Sequence, residues 1–408
     1  MDDLNGMLLL NGIVALLLGL LSLKRSQRMA RLLHMRAANG DAQTAELPPI
    51  SVLAPCRGVD HAFEAYARAL LCQDYPHYEV LFILESTRDS AWDVLGRVLA
   101  ETPSARASLL VAGTAKGCSQ KVHNLLVGLG HVDPQSTILA FVDSDVQVHP
   151  QWLKALVMPL DDAEIGATSG YRWYVPCPGS VASSLRSAWN AATIGLMAHP
   201  RFGFAWGGSS AITRETFEKL RISEAWSRGL SDDLLLTRAV RRAGLRIQFV
   251  PACLVPSCEP CTWGELIAWT NRQVAIGRVY VPHSWGISLL IHLVSLILGG
   301  FGLAAVVACQ WLASGLLLSY WVLSGIGNMA VCRAATQRLA AHGCPIRQQA
   351  WPQVFWAPAV TILALVNLMA SLMTRRITWR GISYTMLSPQ QVIVHRDAPA
   401  AATSSRAS

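Results

Sequence analysis

Hydrophobic and polar positions divide this chain into three charge-free stretches and one long segment of ordinary polarity. Asp, Glu, Lys and Arg are absent from residues 4–23, 279–332 and 348–374. A helix of about 20 apolar residues crosses the hydrocarbon core of a bilayer. The first and third stretches are therefore long enough for one spanning helix each. The second is long enough for two helices with a turn near residues 308–312.

The first stretch has the charge order of an uncleaved membrane anchor. Asp2 and Asp3 precede it, and a basic cluster that begins at Lys24 and Arg25 follows it. A signal peptide instead carries its positive charge before the apolar core. By the positive-inside rule the basic flank lies in the cytoplasm. Residues 1–34 are thus predicted to anchor a cytoplasmic catalytic domain, in a bacterial inner membrane or a eukaryotic endomembrane.

The C-terminal membrane segment, residues 283–384, raises a conflict over topology. A two-span hairpin followed by a single span would place Arg375, Arg376 and Arg380 on the outer side. This arrangement opposes the positive-inside rule. Either the last apolar segment is re-entrant or another span is miscounted. Residues 385–408 are predicted to form a flexible tail because their C-terminal part is of low complexity.

Residues 35–47 are predicted to form a linker. In residues 48–282, apolar runs alternate with helical patterns. This alternation is typical of an α/β fold with a mostly parallel sheet. The strands are predicted at residues 50–54, 78–84, 107–112 and 137–142. Ligands of such sheets bind beyond the carboxyl ends of the strands. Cys56, Arg57, Glu85 and residues 143–145 should therefore gather at one edge.

Composition narrows the range of ligands. The 408 residues are 52% hydrophobic and 15% charged, and soluble domains carry about 25% charged residues. The net charge of +8 comes partly from clusters beside the apolar stretches, which suits an anionic membrane surface. No basic stripe is interleaved with aromatic residues, so no nucleic-acid partner is expected. The ten cysteines follow no disulfide framework.

Two acidic motifs carry the candidate chemistry. Asp143 and Asp145 follow an apolar strand, where two carboxylates can share a divalent cation whose other ligands are phosphate and water. Ser231-Asp232-Asp233 opens a helical pattern, so one carboxylate can cap the helix while the other faces the cleft as a general base. Lys121 stands near the start of a helix, where a phosphate would explain an otherwise unfavourable charge.

The order of short motifs carries a resemblance to a known family. Along the chain they are SVLAPCRG, EVLFILE, KVHNL, FVDSDVQV, AHPRFGFAWGGSSAI and SDDLLLTRA, followed by membrane helices. The chain resembles the family-2-like inverting glycosyltransferases and, among them, the ceramide glucosyltransferase group. The similarity covers residues 8–384. It implies a GT-A nucleotide-sugar-binding domain on the cytoplasmic face, with N-terminal and C-terminal transmembrane helices.

The resemblance also implies roles for individual residues. Asp143 and Asp145 match a D-x-D that binds Mg²⁺ or Mn²⁺, and Asp233 matches the catalytic base. Glu85 falls in the acidic region that contacts the nucleoside. Lys121 lies in the lysine-containing loop of the nucleotide-sugar site.

Two further regions are assigned by the same resemblance. His199 matches a histidine that the family places near the nucleotide. The group ends its active site with Q/R-x-x-R-W, but here Arg272 is followed by Ala275 and Ile276 at the last two positions. Arg272 or Arg278 would then have to reach the diphosphate. The departure bears on the acceptor more than on the donor.

The implied reaction is transfer of glucose from UDP-glucose to the hydroxyl of ceramide, a lipid dissolved in the membrane. Two alternatives remain open. One is transfer of a hexose or N-acetylhexosamine to another lipid, such as a hopanoid, a diacylglycerol or a polyprenyl phosphate. The other is a catalytically degenerate membrane protein that binds a nucleotide sugar.

Overall fold

The computed structural model describes residues 2–35, 47–60, 62–199, 202–344, 346 and 349–396. Most of the predicted linker, residues 36–46, and the end of the predicted tail, residues 397–408, lie outside these ranges.

A seven-stranded sheet with the order β3-β2-β1-β4-β6-β5-β7 forms the centre of the polar domain. Neighbouring strands run parallel except at β6, which is antiparallel to both β4 and β5. The α/β prediction with a mostly parallel sheet is therefore confirmed. The strands are β1 Ile50–Pro55, β2 Tyr78–Leu84, β3 Ala107–Val111, β4 Ile138–Val142, β5 Ile165–Tyr174, β6 Ser209–Thr213 and β7 Arg246–Ser257.

Helices cover both faces of this sheet. The described helices of the domain are α2 Phe63–Leu71, α3 Ser90–Glu101, α4 Gln120–Leu129, α5 Trp152–Val157, α6 Val181–Ile194, α7 Arg214–Lys219, α8 Ile222–Trp226, α9 Asp232–Arg242 and α10 Trp263–Tyr280. On one face Phe63, Leu95 and Trp152 pack in one apolar cluster. On the other, Val122 and Leu236 pack in a second. β1 and β4 are buried along their whole length, which is why they read as continuous apolar runs.

Four further helices are long and apolar enough to cross a membrane. They are α1 Asp2–His34, α11 Pro282–Val307, α12 Trp311–Ala341 and α13 Gln353–Met373. The predicted turn between the two helices of the second apolar stretch is found at residues 308–310. The far end of α12 returns to the polar domain, where the His342 ring stacks on that of His149 with centroids 4.1 Å apart.

A small antiparallel sheet follows α13, where a membrane segment and a flexible tail were predicted. Its strands are β8 Arg376–Trp379, β9 Ile382–Ser388 and β10 Gln391–His395. The tail prediction was thus wrong for residues 385–396. Ile382, Tyr384 and Met386 alternate with more exposed neighbours and are buried in the same apolar cluster as Val122 and Leu236. This burial orders a segment that is too short and polar to form a core alone.

Candidate active site

The carboxyl ends of β1, β2 and β4 meet at one edge of the sheet, as the parallel pairing requires. There they border a pocket of ≈ 90 Å³, which β8 and β9 cover from the other side. Its lining includes the residues Cys56, Arg57, Lys121, Asp143, Asp145 and Arg380. The pocket therefore joins the edge predicted from sequence to the C-terminal sheet.

Lys121 joins two carboxylates at the base of this pocket. Its Nζ lies 2.7 Å from Oδ1 of Asp143 and 2.9 Å from Oδ2 of Asp232. The side chains of Lys121 and Asp232 are only 12% and 5% exposed. Ser119 caps α4 by accepting a hydrogen bond from Val122 N, which fixes the first turn from which Lys121 projects.

The charges of this cluster depend on one another. Burial lowers the pKa of Lys121, but the negative charges of Asp143 and Asp232 outweigh it, so the net pKa is raised. Burial raises the pKa of Asp232 to about 6; Lys121 opposes this shift, and Asp233 and Asp143 add to it. Lys121 is thus held as a cation. Asp232 is a carboxylate that changes charge close to neutral pH.

Asp145 has a separate cationic partner on β5. Nη1 and Nη2 of Arg172 lie 2.8 and 2.5 Å from the two carboxylate oxygens of Asp145. Burial would raise the pKa of Asp145, but Arg172 outweighs it and brings that pKa down to about 2. The Arg172 guanidinium also lies 5.3 Å from the ring centroid of Trp206, a cation–π distance. Asp145 is therefore ionised at any physiological pH.

Asp233 stands at the start of α9, beside this cluster. Ser231 is the N-cap residue and accepts a hydrogen bond from Leu234 N. Oδ1 of Asp233 accepts hydrogen bonds from Ser231 Oγ and Leu234 N, while Oδ2 has only a long contact of 3.4 Å from Gly207 N. One oxygen thus fixes the side chain, and the other retains capacity to accept a proton.

Gly207 has no side chain, which lets Asp232 and Lys121 lie close to its backbone. A Cβ at this position would lie 2.6 Å from both Oδ2 of Asp232 and Nζ of Lys121. Any larger residue would have to displace the ion pair, so a glycine at this position leaves room for the Lys121–Asp232 contact.

Asp143 and Asp145 have the donor chemistry of a divalent-cation site. Both carboxylates line the same pocket, and their side chains remain 23% and 20% exposed. Carboxylate oxygens are the ligands that Mg²⁺ and Mn²⁺ prefer, and a cation bound by one or two of them takes further oxygens from phosphates and water. Among the described residues no group of three or more His, Cys, Asp and Glu side chains converges on one point. The two aspartates fit such a cation only together with a ligand that brings its own oxygens.

Glu85 lies at the rim of the pocket between two arginines. Its Oε2 accepts a hydrogen bond from Arg57 Nη1 at 2.7 Å, and its Oε1 accepts one from Arg396, which follows β10. Arg396 also donates to the side chain of Gln120. The carboxylate predicted to face a nucleoside is thus held by two arginines, one that follows β1 and one that follows β10.

Three predicted site residues lie away from this pocket. His199 lines a different pocket beside Arg28 and Arg31 of α1, because the segment after α6 turns towards the membrane anchor. Arg278 donates a hydrogen bond to Ser371 O of α13 and packs over the Trp285 ring. Arg272 does not line the pocket either, although it interacts electrostatically with Asp145. The structure therefore does not bring these three residues to this pocket, and their contact with the nucleotide stays a prediction.

Sequence reasoning also missed residues that the structure brings to the site. Arg172 is the one charged residue in the apolar strand β5, and that isolation is the signal that could have identified it. Asp232 was considered as a cap, but Ser231 caps the helix. For Arg380 and Arg396 the sequence carries no comparable signal, since both follow the last membrane segment.

Aspartates after a buried strand, a buried lysine between carboxylates and a mostly parallel sheet of GT-A type define the class of protein: a glycosyltransferase. The Glycosyl transferase family 21 profile matches residues 7–392, nearly the whole length. The chain belongs to glycosyltransferase family 21, the ceramide glucosyltransferase family.

Solved structures of glycosyltransferases resemble the chain at low sequence identity. A mannosyltransferase from Pyrobaculum calidifontis, in complex with GDP-Man and Mn²⁺, is 17% identical over 90% of this chain and 97% of that one, with a TM-score of 0.49. Glucosyl-3-phosphoglycerate synthase from Mycobacterium tuberculosis, in complex with Mn²⁺, UDP-glucose and phosphoglyceric acid, is 18% identical over 60% of this chain and 85% of that one, with a TM-score of 0.37.

Proposed function

We propose that this glycosyltransferase moves glucose from UDP-glucose to the primary hydroxyl of ceramide with inversion at the anomeric carbon. The observation that carries the proposal is the Asp143–Lys121–Asp232 cluster beside Asp233, in a chain of family 21. Lys121 and the two candidate metal ligands, Asp143 and Asp145, line one pocket, and the candidate base Asp233 lies beside the Lys121–Asp232 pair. The long apolar helices of the chain suit an acceptor that stays in the bilayer.

Asp233 is the proposed catalytic base. The acceptor oxygen attacks the anomeric carbon while the bond from that carbon to the diphosphate breaks, and the bonding electrons leave with the diphosphate. The hydroxyl proton goes to Oδ2 of Asp233, the oxygen with the long 3.4 Å contact. A single displacement by one base inverts the configuration. A product with retained configuration would refute this step.

The departing diphosphate gains negative charge that the pocket must offset. Lys121 contributes a fixed positive charge at the base of the pocket. Asp143 and Asp145 would hold Mg²⁺ or Mn²⁺, which when bound neutralises the charge of the leaving diphosphate. Glu85 is the proposed nucleoside contact; to reach a ligand it would exchange its bonds to Arg57 or Arg396.

The catalytic domain is proposed to face the cytoplasm. The segments on both sides of α13 meet this domain: Ala350, before the helix, belongs to the same apolar cluster as Trp173, and Arg380, after it, pairs with Asp60. Because both flanks of α13 meet the same domain, we infer that this helix lies along the bilayer surface and does not cross the membrane. Three spans then remain, α1, α11 and α12.

This topology removes the conflict in the charge distribution. With three spans, the basic clusters that begin at Lys24 and at Arg375 lie on the side of the catalytic domain. The short turn at residues 308–310 on the other side carries no Lys or Arg. The arrangement therefore obeys the positive-inside rule with the domain in the cytoplasm.

A second acceptor class is favoured by one observation. Ala275 is 6% exposed and packs beneath the C-terminal sheet, and Ile276 packs against the same cluster. The aromatic acceptor platform expected at position 276 is thus replaced by an aliphatic side chain. Another membrane lipid with a free hydroxyl is the corresponding second candidate.

The acceptor and donor can be identified in one experiment. Membranes from cells that express the chain are incubated with labelled UDP-glucose, UDP-N-acetylglucosamine or GDP-mannose, and the labelled lipid is identified by mass spectrometry. Membranes with the Asp233→Asn variant serve as the control. Labelled glucosylceramide only in the wild-type membranes is the expected result. A different labelled lipid would replace the ceramide assignment.

A purified pair of variants tests the base. Asp233→Asn should lower turnover by about 10²- to 10⁴-fold, the usual contribution of a general base. Its affinity for UDP should stay within a few-fold of wild type. Asp232→Asn is the neighbouring control, because this change affects the partner of Lys121. If Asp232→Asn abolished turnover and Asp233→Asn did not, the base would be Asp232.

A further inference from the structure

The pocket lacks a cation from α10. Arg278 is bonded to Ser371 of α13, and Arg272 does not line the pocket. Ala275 lies where the related motif has an arginine, and it is buried with Ile377 and Tyr384 of the C-terminal sheet. An arginine side chain at position 275 would occupy space that this sheet fills. The sheet therefore sits where the cation is missing.

The turn at the tip of this sheet places a different cation, Arg380, at the pocket. Trp379 and Ile382 are paired, so Arg380 and Gly381 form a two-residue turn between β8 and β9. One terminal nitrogen of Arg380, Nη2, lies 2.9 Å from Oδ2 of Asp60 and 4.0 Å from Oδ2 of Asp145. Arg380 thus reaches the carboxylates of the pocket from the opposite side to Lys121.

The backbone of this turn is unusual for an arginine. Arg380 has φ 48° and Gly381 has φ 76°. Turns with two positive φ angles favour Asn, Asp or Gly at the first position, because a larger side chain is strained there. Strained residues of this kind concentrate at functional sites. The turn geometry is a second observation, independent of the ion pairs, that singles out Arg380.

The two ion pairs that Lys121 and Arg380 form differ in how deeply they are buried. Lys121 and Asp232 are 12% and 5% exposed, whereas Arg380 and Asp60 are 34% and 38% exposed. An exposed ion pair is weak and exchanges readily with another partner. A diphosphate offers a guanidinium two-pronged hydrogen bonds and a higher negative charge than one carboxylate. Arg380 can therefore exchange Asp60 for a diphosphate, while Lys121 stays in place.

We propose that Arg380 is a diphosphate-binding residue of the donor site, carried on the tip of a C-terminal hairpin that closes over the bound nucleotide. The inference rests on the proposed transfer from a nucleoside-diphosphate sugar. The space beneath the hairpin is ≈ 90 Å³, and ligand pockets usually have about 300 to 1,000 Å³. The tip must therefore move outward to admit the donor, while the apolar base of the sheet around Met386 stays docked.

The test measures binding of UDP and GDP to the full-length protein in nanodiscs, by calorimetry in the presence of Mn²⁺. Arg380→Ala should lower the affinity for the nucleotides at least 10-fold. Arg380→Lys should lower this affinity less, because the positive charge is kept. Arg376→Ala, an exposed arginine of the same sheet, should stay within twofold of wild type. Arg380→Gln replaces Arg380→Ala if the latter does not fold.

Asp60→Asn separates nucleotide contact from a structural role. It removes the partner of Arg380 but leaves the guanidinium, so affinity should be unchanged or higher. Equal losses in Asp60→Asn and Arg380→Ala would assign Arg380 only to holding the hairpin and overturn the inference. Unchanged affinity in Arg380→Ala would also overturn it and leave the proposed function intact. A wild-type protein that bound neither nucleotide would overturn both.

Discussion

Arg172 binds Asp145 through two parallel hydrogen bonds, at 2.8 and 2.5 Å, across the pocket edge between β5 and the end of β4. Both side chains are largely buried, so the pair fixes the second aspartate of the candidate metal site. Removing one partner of a buried pair leaves an uncompensated charge.

Arg172→Met is therefore expected to destabilise the protein by about 3 kcal/mol, the lower end for a broken buried ion pair. Thermal unfolding in detergent, followed by intrinsic fluorescence, provides the measurement. Arg246→Ala is the matched control, because its pair with Asp162 is exposed and should contribute little. The double variant Arg172→Met/Asp145→Asn should recover part of the loss. Equal stabilities for the Arg172 and Arg246 variants would contradict the role given to this pair.

Asp232 should make stability depend on pH between about 4 and 6. Its pKa is about 6 in the folded protein and near 3.8 as a free side chain, so the folded state binds more protons in this window. The free energy of unfolding should then fall as pH rises from 4 to 6, by on the order of 2 kcal/mol for this group alone. The pKa of Asp145 is about 2, so its stabilisation is lost only below this window.

The measurement compares the melting temperature of wild type and Asp232→Asn at half-unit steps from pH 4 to 7. Asn does not titrate, so the variant should lose the part of the slope that Asp232 causes. Asp74→Asn serves as a control for removal of an acidic group away from the pocket. Identical slopes in wild type and Asp232→Asn would show that Asp232 does not titrate in this range.

Ala275→Arg should displace the C-terminal sheet. The position is 6% exposed within an apolar cluster, and a buried guanidinium would lack a partner there. We expect a lower melting temperature and rapid proteolysis of residues 375–396. Gln273→Arg, at an exposed position of the same helix, should change neither. A variant with higher activity and an intact sheet would contradict this account of the missing motif.

Labelling of single cysteines can test the membrane arrangement. Cys72 and Cys309 are both exposed, the first on the catalytic domain and the second at the turn between α11 and α12. In sealed vesicles an impermeant maleimide should label Cys72 and a Thr374→Cys variant from one side and Cys309 from the other. Labelling of position 374 together with Cys309 would mean that α13 crosses the bilayer.

Short-range sequence patterns predicted much of the sheet edge that borders the pocket. β4 and Asp143 were predictable because a buried parallel strand reads as an apolar run and its carboxyl end faces the ligand side. Lys121 was predictable because a lysine in the first turn of a helix calls for an anion. Each of these inferences uses only a few neighbouring residues.

Contacts across long sequence distances could not be predicted in this way. Arg380 and Asp60 are separated by 320 positions, and no local pattern relates them. His199 was assigned from a motif, but the loop that carries it packs against the basic end of α1. The alternation of Ile382, Tyr384 and Met386 marks a strand, but it follows a membrane helix so closely that the segment reads as a juxtamembrane tail.

The position of the C-terminal sheet in the chain has a consequence for biogenesis. Residues 376–396 leave the ribosome after α11, α12 and α13 have been synthesised. The polar domain can fold before them, but its pocket remains open and without Arg380 until the membrane helices are inserted and the last strands dock. A chain that fails to insert would then carry an incomplete site, so catalytic competence would be acquired only at the membrane where the lipid acceptor is found.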